Sequence, residues 1–251
     1  VAISADESTI LVGAPFSGTD NVGKVYVFER SGGTYALQDT LSDPESGTDD
    51  QFGIHAAIAG DTIVVSSWLN DNANGANAGA LYVFERNGTT GDWEYDAKLV
   101  SSGIQAGWQL GWGLAISPDA NTIAASTAAG LDGGVYLFER SGTSWSDLGL
   151  LTHPADPGDW VMGDSIALSN DAMVIGHSAM IEEIGGAYIY RNGGSGWSLA
   201  HRLVTSDGTP GNYEAAPSDP DAWGDWAGTS VAMSGAAIAI GAPNHDDGSP
   251  Q

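Results

Sequence analysis

Tyr26-Val27-Phe28-Glu29-Arg30 decides the fold, because the stretch comes back. It returns as Tyr82-Val83-Phe84-Glu85-Arg86, as Tyr136-Leu137-Phe138-Glu139-Arg140 and, shortened, as Tyr188-Ile189-Tyr190-Arg191, at spacings of 56, 54 and 52 residues. A glycine precedes each copy: Gly23, Gly79, Gly134 and Gly186. A second landmark reads Ala2-Ile3-Ser4, Ala57-Ile58-Ala59, Ala115-Ile116-Ser117, Ala167-Leu168-Ser169 and Ala232-Met233-Ser234. Self-similarity at a fixed period marks an array of one supersecondary unit, each copy burying its apolar faces only against its neighbours.

Offsets within the unit extend the match. From the tyrosine to the next aromatic landmark the steps are 9, 11, 9 and 9 residues, ending on Tyr35, Trp93, Trp145 and Trp197. To a leucine they are 15, 17, 15 and 15, ending on Leu41, Leu99, Leu151 and Leu203. The second unit therefore carries a two-residue insertion in the turn around Asn87 to Gly91, and the last gains 13 residues within the Pro- and Asp-rich stretch Gly208 to Ala222. Between landmarks, short runs of β-branched and aromatic residues are broken by Gly, Asp, Asn and Ser, with no sustained helical period. Each unit reads as four strands: one ending at the Ala-Ile-Ser landmark, one such as Thr9 to Pro15, the tyrosine strand, and one from the aromatic to the leucine. Four-stranded units of about 50 residues predict an all-β chain of β-propeller blades, with a β-sandwich as the less regular rival. The units run approximately 1–41, 42–99, 100–151, 152–203 and, in part, 204–251, so about four and a half blades are present in a single propeller region. The two ends supply overlapping strands rather than complementary ones, from which we expect the 251 residues to be part of a larger propeller.

Composition narrows the function. With 32 acidic side chains against 7 Lys plus Arg the formal charge is −25, which excludes nucleic acid as a partner because binding phosphate needs clustered cations. Four of the seven cations, Arg30, Arg86, Arg140 and Arg191, hold one repeat position at the end of the third strand, which predicts a structural pairing, with Glu29, Glu85 and Glu139 facing the opposite side. Cysteine is absent, so no disulfide or thiolate chemistry is available. No apolar run reaches about 18 residues, so no membrane insertion is expected within this segment.

The aromatic landmarks are shared with kelch blades, but kelch closes its second strand with a diglycine, and here that strand closes with Gly13-Ala14-Pro15 and Gly241-Ala242-Pro243. Together with Phe52-Gly53 ahead of the second Ala-Ile landmark, these residues make the chain resemble the FG-GAP repeat family, which includes the integrin alpha-subunit head and many bacterial and archaeal surface proteins. The FG glycine recurs as Gly53, Gly111, Gly163 and Gly228, beside Phe52, Leu110, Met162 and Ala227. The other GAP positions read Ser66-Ser67-Trp68, Ser126-Thr127-Ala128 and Gly176-His177-Ser178. The resemblance covers essentially the whole chain. It implies a β-propeller fold and an extracellular or cell-surface location, and it brings calcium into view as a cofactor.

In integrin-like repeats calcium occupies a DxDxDGxxD loop between the first two strands. Here those turns carry one Asp each, Asp6, Asp61, Asp119 and Asp171, and none in the fifth, too few oxygens for a closed cage, so the Asx-turn reading is preferred. Alternative metal-ligating residues lie between the second and third strands: Asn70, Asn72 and Asn74, at alternating positions before Gly75, and Asp246 and Asp247 after the last GAP. Nine Trp invite a stacking surface for sugar rings. Trp93, Trp145 and Trp197 read as packing residues of the outer strand. Trp108, Trp160 and Trp226 stand just ahead of the FG-like glycine, near Asp159 and Asp225, and pair an apolar ring with a carboxylate acceptor, the chemistry of saccharide recognition; packing against the next blade is the competing role. Trp68 and Trp112 have no counterpart in other units. Asn87-Gly88-Thr89 is a glycosylation sequon in the enlarged turn.

The five histidines fall at five different repeat positions and the carboxylates are scattered, so no acid-base pair stands out. The sequence expectation is a non-enzymatic adhesion or binding propeller that recognises a protein or glycan ligand through loops on one face. The alternatives are a structural subunit of an extracellular filament or sheath, formed by self-assembly, and a polysaccharide-active propeller lyase or hydrolase.

Overall fold

The computed structural model describes residues 1–45, 47–128, 134–151, 163, 165–178, 185–194, 196–204, 226–235 and 237–243. Among the described residues every strand sits in an antiparallel sheet, and consecutive strands within a sheet pair in chain order. The first sheet is β1 (Ala2–Ile3), β2 (Thr9–Ala14), β3 (Lys24–Ser31) and β4 (Thr34–Leu41). The second is β5 (Ala56–Ala59), β6 (Thr62–Ser67), β7 (Ala80–Arg86) and β8 (Trp93–Leu99). The third is β9 (Leu110–Ile116), β10 (Thr122–Thr127), β11 (Val135–Ser141) and β12 (Ser144–Leu151). The fourth is β13 (Ile166–Leu168), β14 (Ala172–His177), β15 (Gly186–Asn192) and β16 (Trp197–Leu203), and β17 (Ser230–Ser234) pairs with β18 (Ala237–Gly241). These are propeller blades, and their strands fall where the repeat places them.

The chain divides into two compact units. Val1–Ala129 with Tyr136–Leu150 hold the first three blades, and Gly130–Val135 with Leu151–Gln251 hold the rest. In the first unit the middle blade shows why the tyrosine strand recurs. All six residues of β6 are buried, as are the first five of β7. Alternate side chains serve different neighbours, as the pleat requires. Ile63, Val65, Tyr82 and Phe84 pack with Leu11, Val25 and Val27 of the first blade. Val64, Leu81 and Val83 pack with Ile123, Ala125, Tyr136 and Phe138 of the third. A strand buried on both faces reads as a continuous apolar run, which is why these segments lack polar alternation. In the second unit Val174, Ala187 and Ile189 pack with Val231, Met233, Ile238 and Ile240 in the same manner.

Between the third and fourth strands the register slips at Val27/Phe28, Val83/Phe84 and Ile189/Tyr190, one repeat position in three blades. The extra residue on the outer strand is Gln38, Asp96 or Ala200, and such a bulge bends and twists the blade edge.

Antiparallel order fixes the ends of each blade. In the first unit, segments 15–23, 42–55, 68–79 and 100–109 share one end, called here the loop end. The tight turns at 4–8, 60–61 and 117–121, and those joining the third and fourth strands, share the other.

Candidate functional site

The loop end is assembled by contacts between one blade and the segment that starts the next. Gln51 N–H donates to Asn21 O at 3.1 Å and Phe52 N–H to Val22 O at 3.0 Å, and Gly23 forms a parallel bridge with Phe52. One blade on, Gln109 and Leu110 donate to Asn77 O and Ala78 O at 3.2 and 2.9 Å. In the second unit Gly185 bridges Ala227 in the same parallel sense. Gly23, Gly79 and Gly185 have φ of +85, +84 and +76°, and a Cβ on them would fall 2.1, 2.3 and 2.1 Å from backbone of Phe52, Leu110 and Ala227, at the start of the next blade. These positions need glycine for both conformation and space.

The same geometry explains why FG and GAP travel together. The FG glycine donates its N–H to the residue at the GAP glycine position of its own blade: Gly53 to Ser66 O at 2.9 Å, Gly163 to Gly176 O at 3.0 Å and Gly228 to Gly241 O at 2.9 Å. Its carbonyl lies against the GAP glycine of the preceding blade, where a Cβ on Gly13 would sit 2.0 Å from Gly53 O and one on Gly176 1.9 Å from Gly228 O. Each FG thus closes its own blade and seats on the one before.

This seating brings together two side chains that the repeat does not require. Trp68 stands at the GAP proline position of the second blade, and Trp112 directly follows the FG-like glycine of the third. Their ring centroids lie 5.0 Å apart at an interplanar angle of 37°. The Trp68 indole N–H donates to Gln51 Oε1 at 2.9 Å, which fixes that ring. Trp112 lies where the β9–β10 register is interrupted, between Gly111 and Gly113, and is 38% exposed. Gly113 N–H is held by Ser126 Oγ at 2.8 Å.

Beneath the loops lies a polar cluster in which Asn70, a proposed metal ligand, meets Asp43 and Asp50, which the sequence reading did not single out. Asp43, Asp50 and Asn70 are buried. Asp50 Oδ2 accepts from Asn70 Nδ2 and from Gly47 N–H, both at 2.9 Å, and Asn70 Nδ2 also reaches the Tyr82 hydroxyl at 3.2 Å. Burial pushes the Asp43 carboxyl up, outweighing the Glu45 N–H that donates to it. Burial, and then the hydrogen bond and charge of Asp43, raise the Tyr82 phenol far above its ordinary range. At the rim Lys98 Nζ pairs with Glu45 at 2.6 Å and lies 5.5 Å from the Tyr82 ring centroid.

The residues proposed for metal binding are occupied by the protein itself. Asn72 Nδ2 donates to Gly79 O and Asn74 Nδ2 to Ser101 O, both at 2.9 Å, while Asn72 Oδ1 accepts Asn74 N–H at 2.9 Å. The three amides stitch the loop together, and among the described residues no three His, Asp or Glu side chains converge as a metal centre. Asp246 and Asp247 lie outside the described residues. The strand turns at Asp6 and Asp119 take the Asx form. Asp6 Oδ1 accepts from the Ser4 and Ser8 hydroxyls at 2.6 and 2.8 Å and from Ser8 N–H at 3.0 Å. These bonds hold its carboxyl at about 2. At Asp119 slight burial works upward, but the Ser117 hydroxyl and Asn121 outweigh it and lower the carboxyl.

Of the residues proposed to contact a ligand, Trp108 and Trp226 are described; Asp159, Trp160 and Asp225 lie outside the described residues. Trp108 is half-buried and packs against the cluster that holds Leu110 and Ile123. Trp226 occupies the repeat position of Gln51 and Gln109, all three left-handed, with φ of +53, +53 and +60°. Trp108 lies one residue further from the glycine, so the two rings are not equivalent. Asn87 accepts Thr89 and Thr90 N–H on Oδ1 and donates from Nδ2 to Glu94 Oε1 at 2.8 Å, so the nitrogen of the sequon already closes the turn.

Comparison with known proteins agrees with the motif reading. Residues 35–84 match the family model described as the FG-GAP repeat. No curated protein matches the chain. Among solved structures the chain is similar to TolB from Acinetobacter baumannii, at 13% identity and a TM-score of 0.44, over 77% of this chain and 41% of that one. It is also similar to Sqt1 from Saccharomyces cerevisiae, at 11% identity and a TM-score of 0.45, over 95% and 66%. The chain therefore spans less than two thirds of the length of either protein. No helix among the described residues is long and apolar enough to cross a membrane. The family model falls on Phe52-Gly53 and most of the second tyrosine strand, and the FG and GAP positions are joined blade to blade, so the chain is built of β-propeller blades and carries an FG-GAP repeat at residues 35–84.

Proposed function

We propose that this protein is a non-enzymatic binding propeller of the cell surface or extracellular space, and that it recognises a protein or glycan partner through its loop end. The observation that supports this most is the difference between the two ends of the first unit. At the turn end, short Asx turns and Arg-Glu pairs repeat from blade to blade and serve the fold. At the loop end, longer connections differ in sequence between blades while resting on the same backbone scaffold, and they present Trp112, Phe16 and several carboxylates to solvent. Variable loops on a rigid repeated frame are the usual way a scaffold acquires a binding surface. The FG-GAP repeat at residues 35–84 supports the extracellular assignment.

The test is retention of the purified protein on intact cells of its source, alongside incubation with a panel of polysaccharides. Saturable retention without release of reducing ends supports the reading. Turnover of a polysaccharide would replace it with an enzymatic one.

A further inference from the structure

The Trp68–Trp112 pair points to a particular partner chemistry once the charges at its end of the blades are placed. In the first unit the loop-end segments carry Asp20, Asp43, Glu45, Asp49, Asp50 and Asp71 and no Lys or Arg. Of these, Asp20, Glu45, Asp49 and Asp71 are exposed. The nearest cations are Lys24, at the start of β3, and Lys98, which is committed to Glu45. The repeat arginines Arg30, Arg86 and Arg140 lie at the opposite end, each paired with a glutamate. Three of the first unit's five Lys and Arg are thus at the opposite end, and the loop end, where the Trp pair sits, carries more acids than bases even with Lys24 and Lys98 beside it.

The rings lie against each other, so it is the exposed side of the pair, at the acid-rich end, that offers an indole face to an organic cation. The ring quadrupole attracts the charge at the face, and guanidinium, being planar and weakly hydrated, stacks there better than ammonium. The pair is held for this role. Gln51 fixes Trp68, and the glycine-flanked break in strand pairing turns Trp112 outward, where a regular strand would direct its side chain into the sheet's own packing. Neither ring is needed at its position, since the equivalent residues elsewhere are Pro15, Ala128, Ser178 and Pro243 for Trp68, and Ile54, Asp164 and Thr229 for Trp112. We propose that the Trp68–Trp112 pair, at the acid-rich loop end, binds an arginine side chain of a basic segment in a partner protein. The inference rests on the binding-propeller reading and names the protein arm of it.

The experiment uses a fluorescein-labelled tetra-arginine peptide and measures anisotropy at two salt concentrations. The intact chain is expected to bind the peptide, more weakly in high salt, and more tightly than it binds tetra-lysine. Trp112→Ala is expected to weaken binding by about 3- to 30-fold, the range of a cation over an aromatic face, and Trp112→Phe to retain most of it. A thermal melt of each variant confirms that the exposed substitution leaves the fold intact. Equal peptide binding by Trp112→Ala and the parent would overturn the proposal. So would a neutral oligosaccharide whose binding, unlike that of the peptide, is lost with Trp112. The peptide assay needs no natural partner, so the two readings fail separately. Cell retention unchanged in Trp112→Ala counts against the arginine site alone, whereas a Trp112-dependent peptide affinity without cell retention counts against the surface function alone.

Discussion

Arg140 of the third blade donates to Glu85 of the second, Nη1 to Oε1 at 2.8 Å, and its Cζ lies 5.6 Å from the centroid of Trp145 on its own outer strand. Arg86 does the same one blade earlier, pairing with Glu29 and standing 5.5 Å from the Trp93 ring. Adjacent residues on a strand face opposite sides of a sheet, so the Glu-Arg dipeptide gives each blade an acid for the next blade and a base for the previous one. Arg30 and Arg191 pair instead with Glu7 and Asp171 at 3.7 and 3.8 Å, in more exposed settings.

A double-mutant cycle on Glu85→Ala and Arg140→Ala should therefore show coupling of about 1 kcal/mol, at the upper end for partly exposed pairs, while Asp171→Ala with Arg191→Ala should show little. Urea midpoints of the four chains in each cycle measure it. Equal coupling at the two pairs would contradict the blade-to-blade role.

Gly13 is predicted to be needed at its own FG-GAP contact for reasons of space, although Ser66 and Ser126 hold the equivalent position in the next two blades. Gly13→Ala forces a Cβ against Gly53 O and should cost about 1–3 kcal/mol, the range for overpacking a close contact. Gly88→Ala meets nothing within 4 Å and should change stability by less than about 0.5 kcal/mol. Thermal unfolding of the two variants decides the point, and a neutral Gly13→Ala would sink the account of the motif.

Two carboxylates should shift stability with pH in opposite directions. Asp6, held at about 2 by its hydrogen bonds, contributes stability present above the ordinary value of 3.8 and lost as pH falls from there toward 2. Asp6→Ala should thus lower Tm at pH 7 and converge with the parent chain at the acid end. Asp43, raised by burial, binds more protons folded than unfolded at mildly acidic pH, so its ionisation costs stability as pH rises through its folded pKa. Asp43→Asn keeps the acceptor for Glu45 N–H and should melt higher than the parent at pH 7, with the gap closing in acid. A lower Tm for Asp43→Asn at neutral pH would mean that its charge is held favourably.

The blades were legible in the sequence because Tyr26, Tyr82, Tyr136 and Tyr188 answer to one packing requirement, repeated. The Arg-Glu pairing was legible from position, though its direction from blade to blade was not. The meeting of Trp68 and Trp112 could not be read from either unit alone, because it depends on FG seating against the GAP of the preceding blade; the signal available was that neither ring has an aromatic counterpart in the other units. Asn70, Asn72 and Asn74 show the opposite case. Alternating oxygen side chains resemble a cation loop in sequence, but the same amides also carry donors, which here join Asn70 to Asp50, Asn72 to Gly79 O and Asn74 to Ser101 O.

The central claim is that recognition happens at the loop end. The chain has no cysteine, so single cysteines can be placed and capped with a bulky maleimide. Ala73→Cys lies in an exposed loop-end segment and Thr143→Cys in an exposed turn at the other end. Retention of each labelled chain on intact cells is the direct measurement. Loss of retention on labelling Ala73→Cys, with Thr143→Cys unaffected, is the result predicted; loss only on labelling Thr143→Cys would contradict it.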